Sequence, residues 1–359
     1  MNDNDYIKLA FELAKRGKGL VSPNPLVGAV LVKNGRVIGK GYHKNYGSAH
    51  AEVNAIKNSK EDVAGSNLYC NLEPCCHTKK QTPPCVPFII QKKIKRVVIS
   101  NIDPNPDVNG LGIKQLRDAG IEVITGILEN EGKELNKFYF KRIEEKIPYI
   151  NLKIAQSIDG KITLSKRRQT WLTGVESKKY IHQLRAEYDA ILVGAGTIKS
   201  DNPSLTVREV EGRNPYRIIV DGNLSSSINS KVFNSKQPEK TWVFTSSKSD
   251  VRKRKKLETK GIRIFTLAQA RNRRLDVKNI VKILAANKIT SLMVEGGAEI
   301  FNQFVKYNLF DEIIILQAPI ILGKGLNSLS PAGIKKLRLV SLDRLGEDIR
   351  FIYRKKLSD

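Results

Sequence analysis

The spacing of apolar and polar positions changes period repeatedly along the chain. Residues 4–16 carry an amphipathic helical pattern. "LVGAVLVKNGRVIGKGY" (26–42) reads as two strands around an Asn-Gly turn at 34 and 35. A helix should begin near His50, "NLYCNL" (67–72) is a short buried strand, and "VPFIIQKK" (86–93) is helical. The alternation continues with a strand at 96–101, a helix at 110–120, a strand at 121–127 and one helix over 129–143. At "RIEEKIPYI" the charged stretch ends, a proline intervenes and a new strand, "YINLKIA" (149–155), begins. This break places a boundary near Lys146 and predicts two domains, 1–146 and 147–359. The second half offers buried-strand candidates at 190–196, 217–222, 241–247, 262–267, 291–297 and 312–323, with helices near 175–187, 276–287 and 298–307. Both halves are therefore α/β, with no internal repeat and no long low-complexity tract.

Composition narrows the class. The chain has 359 residues, comfortable for two domains, and no apolar run long enough to span a bilayer. Its N-terminal pattern contains acids and lacks an apolar stretch followed by a cleavage site, so a secretory leader is not expected and the protein reads as cytoplasmic. The net charge is +26. Residues 1–146 hold 23 basic and 16 acidic side chains, and the remainder 39 and 20, so the excess is concentrated in the second half. Such a balance suits anionic partners, whether nucleic acid or phosphorylated small molecules. Lys, Asn and Ile recur throughout, and compositional drift explains much of the excess. "VRKRKKLETK" (251–260) reads as a solvated helix face, with no interleaved aromatics to stack bases.

All four cysteines, Cys70, Cys75, Cys76 and Cys85, fall in one window. A disulfide framework would spread them through a short secreted chain, so the cluster reads as a metal site. His50, Cys75 and Cys85 supply three zinc ligands, which leaves a fourth position for water. Glu52, two residues after His50 at a helix start, is placed to take a proton from that water and hand it to a leaving amine. This is the H-x-E…P-C pattern of zinc nucleobase deaminases. The thiolate after Pro74 is expected at a helix N-terminus, which favours Cys75 as the first thiolate ligand. Cys76 stays an alternative, and Cys70 reads as a packed thiol inside a strand.

At these residues the sequence resembles the bifunctional deaminase–reductase family of riboflavin biosynthesis. The resemblance rests on "PNPLVGAV" (23–30), "HAEVNAI" (50–56), "LEPCCH" (72–77), "TPPC" (82–85) and "DPNP" (103–106). It continues through "LKIAQSIDGKI" (152–162), "WLTG" (171–174), "GAGTIKSDNPSLTVR" (194–208) and "VEGGAEIFNQFV" (294–305). One departure is "CCHTKKQTPPC", which has one residue more than the family loop and no glycine. Either Lys79 or Lys80 can therefore fill its basic position, and the Cys76–Cys85 spacing equals the family's usual one.

The resemblance implies a cytidine-deaminase-like domain followed by a dihydrofolate-reductase-like domain. The first would use one Zn2+ and Glu52 to remove an amino group from a diaminopyrimidinone with a phosphoribosylamino arm. Asn24, His43, His77 and Lys80 would contact that substrate. The second would use NADPH to reduce the ribosyl chain to ribityl. By position, Ala155, Trp171, Thr197, Asp201, Gly222, Gly296, Gly297 and Ala298 would touch the cofactor. Gln169, Arg185, Leu205, Arg208, Glu295 and Lys153 would touch the substrate, with Arg185 and Arg208 suited to its phosphate. No G-x-G-x-x-G follows a first strand, so a Rossmann domain is not supported. Two glycine turns, at 194–197 and 294–298, instead offer backbone N–H groups to a phosphate. The resemblance also implies a homo-oligomer, and neither a nucleic acid nor a membrane is expected as partner. A polynucleotide deaminase would share the zinc chemistry but has no need of the second half's glycine turns. A catalytically dead scaffold would have lost Glu52 or a ligand.

Overall fold

The structure is a computed structural model that describes residues 1–78, 82–165, 170–268, 274–330 and 335–356. The chain divides into two compact units, Met1–Lys146 and Ile147–Asp359.

The first unit runs α1 (Asp3–Lys15), β1 (Gly28–Lys33), β2 (Arg36–Tyr42), α2 (Ala51–Lys57), β3 (Asn67–Leu72), α3 (Cys85–Gln91), β4 (Arg96–Asn101), α4 (Leu111–Asp118), β5 (Glu122–Thr125), α5 (Glu129–Leu135) and α6 (Lys137–Glu145). Asn2 and Asp5 form a reciprocal capping box that starts α1. Asn34 (φ 51°) and Gly35 (φ 74°) make the left-handed turn that closes the β1–β2 hairpin. The sheet order is β2-β1-β3-β4-β5. β1 pairs antiparallel with β2 and β3, while β3, β4 and β5 run parallel.

Strand alternation divides this unit into two cores. Val30, Val32, Tyr69 and Val98 face α1, meeting Tyr6, Ile7, Ala10 and Phe11. Ala29, Leu31, Leu68, Cys70, Val97 and Ile99 face the other way, against Ala51, Ala55, Val86, Ile89, Ile113 and Leu116 of α2, α3 and α4. The single helix expected over 129–143 is broken at Asn136. Its side chain is recruited elsewhere, accepting from Leu26 N (2.7 Å) and donating to Leu26 O (2.9 Å).

The second unit contains β6 (Tyr149–Gln156), β7 (Lys161–Thr163), α7 (Val175–Glu187), β8 (Ala190–Gly194), α8 (Ala195–Asp201), β9 (Tyr216–Val220), β10 (Thr241–Ser246), α9 (Val251–Glu258), β11 (Arg263–Leu267), α10 (Val277–Ala286), β12 (Ser291–Val294), α11 (Ala298–Lys306), β13 (Glu312–Gln317), β14 (Leu326–Asn327), β15 (Leu337–Leu345) and β16 (Asp348–Lys355). Nine strands form one sheet in the order β11-β10-β9-β8-β12-β6-β13-β16-β15. The first seven of these are parallel, and β16 and β15 close the edge as an antiparallel hairpin. Leu152, Leu192, Phe244, Leu292 and Val294 meet Ile280, Leu284, Phe301 and Phe304 of α10 and α11 in its core. α9 buries only Leu257, so its basic residues form a solvated face. Among the described residues, no helix is long and apolar enough to cross a membrane.

Candidate active sites

In the first unit three ligand atoms converge. His50 is the N-cap of α2, Cys75 lies just past the end of β3, and Cys85 is the first residue of α3. His50 Nδ1 is 3.4 Å from each of the Cys75 and Cys85 sulfurs, and all three ligand atoms lie within 4.8 Å of one another. A tetrahedral zinc, with Zn–N of about 2.0 Å and Zn–S of about 2.3 Å, spaces nitrogen and sulfur ligands about 3.5 Å apart. The donor set therefore fits that ion. The helix start expected at Cys75 belongs to Cys85 instead. Its N–H reaches back to Cys75, 2.9 Å from the carbonyl oxygen and 3.4 Å from Sγ, so the first turn of α3 still faces the Cys75 sulfur. Cys76 turns away, with Sγ 3.7 Å from Asp107 O. Cys70 is fully buried, and burial, with the nearby Glu52 charge, pushes its thiol well up.

Outer contacts hold these ligands. His50 Nε2 lies 3.2 Å from Thr82 Oγ1, so with Nδ1 turned to a metal the Nε2–H donates to that hydroxyl. Glu52 is 2% exposed at the second residue of α2, where the helix N-terminus favours a carboxylate. The Glu73 carboxylate accepts from the N–H groups of Asp103, Gly110 and Ile113 (3.2, 2.9 and 3.1 Å), tying the Cys75 segment to the start of α4. Gly112 makes this approach feasible, because a Cβ there would sit 2.4 Å from Pro74 O. His43 stands edge-on to His50, with ring centroids 5.3 Å apart. Its Nδ1 lies 3.2 Å from Ala49 O and its Nε2 3.1 Å from Asn24 Nδ2. Only the Nδ1–H tautomer satisfies both partners, donating to Ala49 and accepting from Asn24. Next to Glu73, burial raises the Asp103 carboxyl to about 6, against the hydrogen bonds it accepts from Asn105 N and Tyr139 Oη.

The second unit contains a cavity of about 980 Å3 beside the turns that follow β8 and β12. Three charged side chains meet in its wall. Arg185 donates from Nε and Nη2 to Glu295 at 2.8 and 2.7 Å, and Lys153 Nζ lies 3.7 Å from the same carboxylate. Burial would raise the Glu295 carboxyl, but Arg185 and Lys153 outweigh it and hold the group at about 2. Burial lowers the Lys153 amine, which Glu295 partly restores. Burial likewise raises the Asp201 carboxyl, opposed by Ser200 and Lys153. Gly296 turns the chain between β12 and α11, where a Cβ would lie 2.7 Å from Val193 Cα.

Residues 148–351 match the family described as the RibD C-terminal domain, and residues 1–101 match the cytidine and deoxycytidylate deaminase zinc-binding region. The riboflavin biosynthesis protein RibD of Aquifex aeolicus is 42% identical over 360 residues, covering 98% of each chain. The chain belongs to the RibD family of riboflavin biosynthesis proteins. The Escherichia coli RibD is 35% identical, over 94% of this chain and 93% of its own. Among solved structures, form 1 of Acinetobacter baumannii RibD superimposes with a TM-score of 0.90 at 30% identity, covering 99% of both chains. The Thermotoga maritima diaminohydroxyphosphoribosylaminopyrimidine deaminase/5-amino-6-(5-phosphoribosylamino)uracil reductase does so at 0.87 and 37%, also covering 99% of both. RibD proteins are bifunctional, so this chain joins a zinc-binding, cytidine-deaminase-like domain to an NADPH-using reductase domain.

Within this RibD framework, the residues named from sequence fall as follows. His50, Cys75 and Cys85 meet, Asn24 and His43 form a hydrogen-bonded pair beside them, and His77 follows Cys76 with its Nδ1 buried. Ala155, Trp171, Thr197, Asp201, Gly297 and Ala298 line the reductase cavity, as do Lys153, Arg185, Leu205, Arg208 and Glu295. Gly222 and Gly296 do not line it among the described residues. Gly222 accepts from Ser246 N and Thr245 Oγ1 past the end of β9. Lys80 and Gln169 lie outside the described residues. Sequence reasoning missed Thr82, although it belongs to the "TPPC" motif, and His182, which lines the cavity from α7.

Proposed function

We propose that residues 1–146 deaminate 2,5-diamino-6-(5-phosphoribosylamino)pyrimidin-4-one and that residues 147–359 reduce the ribosyl chain of the product to ribityl. The Thermotoga relative, named for these two activities, supports this substrate. The observation that carries the reading is the His50–Cys75–Cys85 cluster with the buried Glu52 one turn-start away.

The three ligand residues hold zinc, which when bound lowers the pKa of a neighbouring water to about 7. Glu52 takes a proton from the water that adds to the amino-bearing ring carbon. It returns that proton to the amino nitrogen, the C–N bond breaks to release ammonia, and the remaining proton of the added oxygen ends on the adjacent ring nitrogen as the carbonyl forms. Asn24, held by its hydrogen bond to His43, orients the pyrimidine with the His43 ring beside it, and His77 completes the contacts. In the reductase domain bound NADPH supplies hydride. Ala155, Trp171, Thr197, Asp201, Gly297 and Ala298 hold the cofactor, and Gly296 gives the turn before α11 its close approach to β8. Lys153, Leu205 and Glu295 surround the sugar, and Arg185 and Arg208 face its phosphate. The protein works in the cytoplasm as a homo-oligomer on this small phosphorylated substrate, not on nucleic acid.

A coupled assay with quantified zinc tests the reading. Wild type should release ammonia without NADPH and then oxidise NADPH when it is supplied. Glu52→Gln should keep its zinc and lose about 10²–10⁴-fold in ammonia release. A wild-type protein that holds zinc yet releases no ammonia would overturn the assignment.

A further inference from the structure

Arg185 and Arg208 are the obvious candidates for an anion in the reductase cavity, yet Arg185 is heavily committed. Two of its nitrogens bind Glu295, and the third lies 3.4 Å from Thr206 O. A phosphate in this wall needs further donors. Lys178, Ile181, His182 and Arg185 all line the cavity from α7 and sit on one face of that helix. His182 is 2% exposed. Its Nδ1 accepts the backbone N–H of Arg208 at 3.0 Å. That bond fixes the tautomer: with the Nδ1 lone pair occupied, a neutral imidazole carries its proton on Nε2. Among the described residues, Nε2 has no hydrogen-bond partner of its own.

We propose that His182 is a specificity-determining residue of the reductase domain, whose Nε2–H binds the phosphate of the ribosyl substrate beside Arg208. The inference rests on the reading that this cavity takes a phosphoribosyl compound. The surroundings agree with it. Burial and the guanidiniums of Arg185 and Arg208 hold the imidazole down to about 4, against the weaker opposing pull of Glu209 and Glu295. The positive potential that keeps the ring uncharged is the potential that attracts an anion. A neutral N–H donor then contributes direction to the phosphate without a further buried charge. The same ring ties the backbone of Arg208 to α7, while the Arg208 side chain is steadied by Thr206 Oγ1 at 2.8 Å.

Two substitutions separate the two nitrogens. In His182→Asn the shorter amide can still accept from Arg208 N, but nothing reaches the Nε2 position. In His182→Gln a donor reaches that position and the Nδ1 acceptor is lost. The probe is ribose 5-phosphate, with ribose as control, titrated into full-length protein carrying 15N-labelled histidine. The His182 signal, assigned by its loss in the variants, should shift with ribose 5-phosphate and not with ribose. Affinity should fall about tenfold or more in His182→Asn and within about threefold in His182→Gln. An unmoved His182 signal at saturation, absence of ribose 5-phosphate binding, or a glutamine variant weaker than the asparagine one would each overturn the inference. The last result would leave His182 as a mere anchor for Arg208. Failure of the functional reading shows differently: the wild type would bind ribose 5-phosphate with the His182 shift, yet oxidise no NADPH with the aminopyrimidine substrate.

Discussion

In the deaminase domain the candidate metal ligands Cys75 and Cys85 lie 25 and 35 residues after His50, each at or beside the end of a helix or strand. In the reductase domain the central ion pair joins Arg185 on α7 to Glu295 after β12, 110 residues away. The first arrangement is assembled from neighbouring elements, α2, the segment after β3 and α3, that pack on one face of the small sheet. An N-cap histidine, a segment leaving a strand and a helix-initiating cysteine place their side chains wherever those elements end. The second exists only once the parallel sheet has assembled, because β6, β8 and β12 must be neighbours before their carboxyl ends share a wall. A short-range site can therefore be recognised from a motif, whereas a sheet-dependent one is visible only as scattered charged residues.

The contrast can be broken most sharply by removing a metal ligand. Cys85→Ser should abolish zinc retention and deamination while leaving NADPH-dependent reduction of the deaminated substrate intact, as metal analysis and separate assays would show. Loss of both activities would mean that the domains depend on one another. The next largest effect should come from Glu295→Gln. It leaves Arg185 and Lys153 buried without their counter-charge and should destabilise the reductase unit by about 3–5 kcal/mol in denaturant unfolding. Because the Glu295 carboxyl titrates at about 2 when folded, below its ordinary value of 4.5, its contribution is complete above that ordinary value and lost as pH falls toward 2. Wild type should show that acid loss and the glutamine variant should not. The smallest effect belongs to Thr82→Val, which removes the partner of His50 Nε2. It should weaken zinc binding about 10–100-fold by chelator competition, without unfolding the domain.

How far the sequence led can be judged element by element. The β1–β2 hairpin, the start of α2 at His50 and the parallel strands were legible, since periodicity and turn residues act over a few positions. Asn136 was not, because what interrupts the expected helix is a pair of hydrogen bonds to Leu26, 110 residues earlier. The strand expected over 312–323 ends at Gln317, with Pro319 two residues on unable to donate to a ladder. The β15–β16 hairpin escaped notice because charged residues punctuate it. They pair across the strands, as Arg350 does with Asp343 at 2.6 Å. The sequence favours Cys75 over Cys76 through an expected helix start, which α3 supplies ten residues later. His182 was hidden for the same reason as the ion cluster: its partner, Arg208 N, comes from another part of the fold.

The two thiols of the metal site are also fastened to each other through the backbone, since Cys85 N and Val86 N both bond to Cys75 O at 2.9 and 3.2 Å. The nine residues between them thus begin and end at a point the backbone already fastens, without help from the metal. The clasp at Cys75 O holds the two ends of that segment together whatever residues fill it. One hydrolytic centre can thereby be fitted with different rims, and the choice of which amine to remove can drift independently of the means of removing it.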